Sequence, residues 1–149
     1  MDGADLVVCV SSPGALPVRA LRRMATDAIV FALATPEPEI APEVAARHAR
    51  VVATSRSDYP NQISSVLAFP GVFLGALRAR SREINQPMKL AAARALASCI
   101  PSSELSEEYI IPSIFNHEVP RRVAKTVETA AYQSGVAKRQ RNIATVLTN

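Results

Sequence analysis

The chain has 149 residues, 48% of them hydrophobic and 20% charged, which suits one ordinary globular domain and excludes global disorder. No apolar run is long enough to span a bilayer, and the acidic start Met1-Asp2-Gly3-Ala4-Asp5 lacks the basic flank of a signal peptide, so a cytoplasmic protein without a membrane partner is expected. Much of the net charge of +4 gathers at Arg19, Arg22 and Arg23 and at Lys138, Arg139 and Arg141; no aromatics interleave with it, so these read as solvated faces and no nucleic-acid partner is expected.

The first element is the apolar run Asp5 to Val10, a buried strand that stops at Ser11-Ser12-Pro13-Gly14. Pro17 suits the first turn of a helix, with Val18, Leu21 and Met24 as its apolar stripe. Ala28 to Ala34 is a second buried strand, closed by Thr35-Pro36-Glu37-Pro38. Pro42 opens a short helix through Ala49, and Arg50 to Thr54 is a third strand. Strand, helix, strand, helix, strand is the pattern of a parallel sheet with helical crossovers. Strands apolar on both faces imply helices on both sides.

Beyond Thr54 the chain turns helical. Ile63, Val66, Leu67 and Phe69 begin a helix that Pro70-Gly71 should kink or interrupt before it resumes through Leu77. Asn85 is placed to cap a helix ending before Pro101, and Tyr109 to Phe115 reads as a packed extended segment. Val119, Val123, Val127 and Ala130 mark a last amphipathic helix with Gly135 at its C-terminal cap. Residues 138–149 read as a basic, frayed tail. Gly71 and Gly75 form a G-x-x-x-G that reads as close helix packing.

Ligands of parallel sheets sit beyond the carboxyl ends of the strands. Here those ends are Ser11-Ser12, Thr35-Pro36 and Thr54-Ser55-Arg56, all polar. The five glycines make no G-x-G-x-x-G and no Walker-type loop, and no G-x-S-x-G elbow occurs. Glu37 and Glu39 could form a carboxylate pair, but Pro36 and Pro38 hold the segment extended, so a solvated loop is expected. Tyr59 and Tyr109 read as packed aromatics with satisfied hydroxyls. Cys9 and Cys99 read as buried free thiols. Without a C-x-x-C or partners for His48 and His117, no zinc site is expected.

Four stretches in order carry a family likeness: FALATPEPEI (Phe31 to Ile40), SRSDYPNQISSVLAFPGVFLGAL (Ser55 to Leu77), MKLAAARALAS (Met88 to Ser98) and LSEEYIIPSIF (Leu105 to Phe115). Together they resemble the bacterial malic enzymes, from about Gly3 to about Ala137. That family oxidises malate with NAD or NADP and decarboxylates it to pyruvate with Mg2+ or Mn2+. The resemblance is to the latter part of its cofactor-binding domain. It implies an α/β fold: a partial Rossmann-like parallel sheet of about three strands over residues 1–137, followed by an α-helical half.

The family's acid–base tyrosine and lysine, its carboxylate metal ligands and its glycine-rich dinucleotide loop map to nothing here. The resemblance therefore implies a truncated chain that is inactive by itself and does not hold the family's divalent metal. Positions that do map have changed. The family reads F-A-L-A-N-P-T-P-E, with an asparagine that contacts cofactor and substrate at the place of Thr35. Its loop reads T-G-R-S-D-Y-P-N-Q-x-N-N, with glycine at the place of Ser55 and asparagines at Ser64 and Ser65. Serine and threonine lack the reach and paired donor and acceptor of asparagine. Ser55 would be strained if it kept a left-handed glycine conformation.

On the resemblance, Ser11, Ser12 and Thr35 are the candidate cofactor-side residues, and Arg56, Asn61, Ser64 and Ser65 the candidate substrate-side residues. No catalytic or metal-ligating residue is assigned. The second reading is an interaction module that pairs with itself, or with a malic enzyme partner chain, through an exposed sheet edge.

Overall fold

The computed structural model describes residues 1–138; from residue 139 on, the expected basic tail lies outside the described residues. The chain forms two compact units. Met1–Ser64 with Ile100–Pro112 is the first, and Ser65–Cys99 with the residues from Ser113 onward is the second. The change of character expected near Thr54 thus falls at Ser64–Ser65, and residues 100–112 return to the first unit.

The first unit is built on three parallel strands in the order β1-β2-β3: β1 (Leu6–Cys9), β2 (Ile29–Ala32) and β3 (Val51–Thr54). The register sets Leu6 beside Ile29 and Ile29 beside Val51. Two single-turn helices lie between them, α1 (Val18–Leu21) and α2 (Pro42–Ala45). Both are shorter than the apolar spacing predicts, because each leaves α geometry within one turn and continues as hydrogen-bonded turns. His48 N–H donates to Ala45 O and Met24 N–H to Leu21 O.

The crossover helices α1 and α2 pack on one sheet face. Leu16, Leu21, Ile40 and Ala45 pack with Val30 and Ala32, and Val7, Cys9 and Val52 join them. The alternation of side chains along a strand puts Leu6, Val8, Ile29 and Phe31 on the opposite face. There Leu6 is 50% exposed and Val8 52%. That face is not bare throughout, for Ala53 on it is wholly buried and Phe31 is half-buried, but α1 and α2 enclose only the first face.

The two borders of the sheet also differ. Beyond β3, Ile63 N–H donates to Thr54 O at 2.8 Å and the Asn61 side chain donates to Val52 O at 3.1 Å. Among the described residues, no strand pairs beyond β1. Ile29 N–H takes Asp5 O and Leu33 N–H takes Cys9 O. Alternate residues of a parallel strand address opposite neighbours, so the backbone groups of Leu6, Val8 and Val10 face the open border.

The second unit is helical: a 3-10 turn at Ser65–Leu67, then α3 (Phe69–Ala79), α4 (Gln86–Ala97) and α5 (Glu118–Gln133). Pro70 does not kink a running helix. It stands in the first turn of α3, where its missing N–H costs no hydrogen bond. Gly71 and Gly75 press against α5; a Cβ at Gly75 would stand 2.5 Å from Ala124 O. Asn85 caps α4 as expected, its Oδ1 accepting Met88 N–H at 3.2 Å.

The close of α5 is a Schellman motif. Val136 N–H donates to Ala131 O, Gly135 N–H to Tyr132 O, and Gly135 sits at φ 72°. The segment expected to pack from Tyr109 to Phe115 does so only in part: Ile110, Ile111 and Pro112 are at least half-buried, while Ile114 and Phe115 are exposed. Cys9 and Cys99 are free, as expected, but half-buried rather than buried. Burial, then the charge of Glu39, pushes the Cys9 thiol up.

Candidate functional site

All three strands run the same way, so their carboxyl ends define one rim of the first unit. Ser11 and Ser12 follow β1, Thr35 follows β2 and Ser55-Arg56 follows β3. Ser11, Ser12 and Thr35 are exposed. The Thr35-Pro36 peptide bond is cis.

The rim is organised by a residue expected to be solvated. Glu39 is wholly buried, with 0% of its surface exposed. Its Oε1 accepts Ser11 N–H at 2.6 Å and the Ser11 hydroxyl at 3.3 Å, and its Oε2 accepts Ala34 N–H at 3.0 Å. Its own backbone carbonyl accepts Leu16 N–H at 3.0 Å. One carboxylate thus ties the end of β1 to the end of β2. Burial pushes the Glu39 pKa up, but the hydrogen bonds from Ser11 N–H, Ala34 N–H, its own N–H and the Ser11 hydroxyl outweigh it and hold the carboxyl below its ordinary range. The available signal was the neighbours: Pro38 and Ile40, on either side of Glu39, are also buried.

Arg56 is held by two carboxylates of the chain itself. Its Nε and Nη2 donate to Asp58 at 2.9 and 2.6 Å, and its Nη1 donates to both oxygens of Glu37 at 3.0 and 2.9 Å. The guanidinium lies 5.3 Å from the centre of the Tyr59 ring. Tyr59 in turn donates its hydroxyl to Glu43 at 2.5 Å. The hydrogen bond to Asp58 is the main reason the Arg56 pKa rises, and the same bond lowers that of Asp58. The Tyr59 bond lowers Glu43 and raises the tyrosine.

Asn61 is buried and points into the fold. Its amide donates to Val52 O at 3.1 Å and Glu107 O at 2.8 Å, and its Oδ1 accepts Ile110 N–H at 2.8 Å. It occupies φ 57°, a left-handed conformation that asparagine tolerates. Ser55 is not among the described non-glycine residues at positive φ, so the strain expected there does not arise. Its hydroxyl donates to Leu33 O at 2.9 Å, a second tie between β2 and β3.

Ser64 is half-buried and closes the first unit; Ser65 is exposed and opens the second. The structure therefore brings Ser11 and the Thr35 segment together through Glu39, and Arg56 to the Thr35 segment through Glu37. It gives Asn61 a scaffold role. A cavity of about 370 Å³ opens on the flank of β3, bordered by Glu43, Tyr59, Asn61 and Glu107. None of the candidate residues except Asn61 lines it. Among the described residues, no group of three or more His, Cys, Asp or Glu is placed to hold a metal ion. Among the same residues, no helix is long and apolar enough to cross a membrane.

Three parallel strands with crossover helices and polar turns at their carboxyl ends define a partial Rossmann-like α/β domain. The chain belongs to the malic enzyme family: the profile described as "Malic enzyme, NAD binding domain" matches residues 15–132. The NAD-dependent malic enzyme of Geobacillus stearothermophilus is 58% identical over 137 residues, 92% of this chain and 29% of its own length. The NADP-dependent malic enzyme of Halomonas elongata is 41% identical over 156 residues, 93% of this chain and 37% of its own length. The crystal structure of malic enzyme from Pyrococcus horikoshii Ot3 superposes with a TM-score of 0.87 at 47% identity, covering 94% of this chain and 33% of that one. The chain thus spans about a third of the relatives it matches.

Proposed function

We propose that this chain is the strand-end portion of a malic-enzyme NAD(P)-binding domain, tied by descent to the oxidative decarboxylation of malate to pyruvate. By itself it does not turn malate over. Ser11, Ser12 and Thr35 line half of a site for NAD or NADP, with Glu39 fixing the first turn against the second. Arg56, Asn61, Ser64 and Ser65 mark the substrate-side loop, and its grip on malate is weak. The observation that carries this reading is the state of that loop: Arg56 already donates from Nε, Nη1 and Nη2 to the chain's own carboxylates, and Asn61 holds three of its backbone groups.

Among the described residues, no cluster of three or more His, Cys, Asp or Glu stands ready for the family's divalent metal. The cellular setting proposed is the cytoplasm. The test is purified protein with malate, NAD or NADP and Mg2+ or Mn2+. No malate-dependent NAD(P)H formation is expected, and a rate proportional to protein concentration overturns the proposal. Calorimetric titration with NAD and NADP then asks whether the half-site binds.

A second reading rests on a different observation, the unpaired border of β1. An unpaired edge recruits strands. Homo-oligomer formation, or pairing with a malic enzyme partner chain, would place a strand there.

A further inference from the structure

We infer that Glu37 is a built-in carboxylate ligand of Arg56 that competes with anionic ligands and sets the loop after β3 against small dicarboxylates. The inference rests on the reading of that loop as the substrate-side loop.

A guanidinium offers five N–H donors in a rigid fork and engages carboxylates edge-on. In Arg56, Asp58 takes the Nε–Nη2 edge and Glu37 takes Nη1 with both of its oxygens. The Tyr59 ring lies 5.3 Å away over the guanidinium carbon. The Nε–Nη2 edge and Nη1 are therefore filled from within.

The two acidic partners are not equivalent. Asp58 is two residues along the same loop, so its contact is local. Glu37 is 19 residues earlier, on the segment after β2, so its contact joins two strand-end loops. One guanidinium facing two carboxylates also leaves the trio net negative. An incoming dianion meets like charge and must displace a tethered carboxylate, whose effective concentration is on the order of millimolar. Arg56 nevertheless keeps 30% of its side-chain surface exposed and Glu37 keeps 63%. The site is thus reachable, and Glu37 is free to swing away once out-competed.

Glu37→Gln keeps the size of the side chain and removes its charge. The test titrates the full 149-residue protein and this variant with malonate, without cofactor, following the Arg56 Nε–H signal by NMR. The variant is expected to bind malonate roughly five- to tenfold more tightly than wild type, with the Arg56 Nε–H signal moving most. Unchanged backbone amide signals elsewhere verify that the variant folds. Equal affinity in the two proteins, or an Arg56 signal that moves in neither, overturns the inference. NAD(P) binding by calorimetry alongside an unchanged malonate affinity would sink this inference alone. The expected malonate result without NAD(P) binding would sink the cofactor reading alone.

Discussion

The carboxylate of Glu39 accepts the backbone N–H of Ser11 at 2.6 Å across 28 residues of sequence. Together with Ala34 N–H at 3.0 Å, this makes one buried charge the anchor of two strand-end turns. Hydrogen bonds to charged groups contribute about 1.5–3 kcal/mol each, and a neutral amide of the same size recovers little of this. Glu39→Gln should therefore lower the free energy of unfolding in urea by about 1.5–3 kcal/mol.

The pH dependence follows from the direction of the Glu39 shift. Its folded pKa lies below the ordinary carboxylate value of about 4.3. The unfolded chain then binds the proton more readily, so stability rises with pH in this window. The Glu39 contribution is complete above that ordinary value and is lost as pH falls through the folded pKa. Urea unfolding between pH 5 and pH 3 should show a shallower acid loss in Glu39→Gln than in wild type. Asp58, Glu43 and Glu107, also shifted down, should keep part of the slope in the variant.

A methyl group at Gly75 has nowhere to go. It would meet Ala124 O at 2.5 Å and Val127 Cβ at 2.9 Å, and the backbone oxygen belongs to an α5 held by its own hydrogen bonds. Gly75→Ala should destabilise by about 1–3 kcal/mol or more, visible as a drop in Tm. Gly14→Ala is the comparison: a Cβ there meets nothing within 4 Å, and only the backbone at φ 73° resists. Its cost should be about 1–2 kcal/mol, the left-handed penalty of an L-residue.

Asn61 binds three backbone groups, and two are carbonyls that need a donor. Asn61→Asp replaces that donor with an acceptor and should cost more than Asn61→Gly, which keeps the φ and loses the bonds. Each buried group left unpaired costs about 1–3 kcal/mol, so urea unfolding should separate both variants from wild type.

The border of β1 carries no lysine, proline or bulge between Leu6 and Val10, the devices that usually blunt an edge. Val8→Lys places a charge at its centre. If the border mediates self-association, light scattering on wild type should show a mass rising with concentration, and the variant should show less. A constant 16.0 kDa for wild type at every concentration would dismiss this route.

The elements that were legible in the sequence are those with local causes. β1, β2 and β3 stand in continuous apolar runs, Asn85 is a side-chain cap with its partner three residues on, and Gly71 and Gly75 share a helix face. Less legible were features set by distant partners. Pro70 reads as a break until Ala68 is seen to begin the helix just before it. Glu39 reads as solvated because its partners, Ser11 and Ala34, converge on it only through the sheet. Which face α1 and α2 cover could not be read from runs that are apolar throughout. The family was legible from four ordered motifs; the internal occupation of Arg56 was not, because it depends on Glu37 reaching across two loops.

The unequal borders of the sheet give it a direction of growth. Asn61 and Ile63 terminate it at β3, so nothing can be inserted there without unmaking the loop that also carries Arg56. Growth is left to β1 alone. A strand that docks on Leu6, Val8 and Val10 would stiffen β1 and so steady the perch of Ser11 and Ser12 at its end. Whatever docks there thereby gains mechanical leverage over the strand-end rim without touching it.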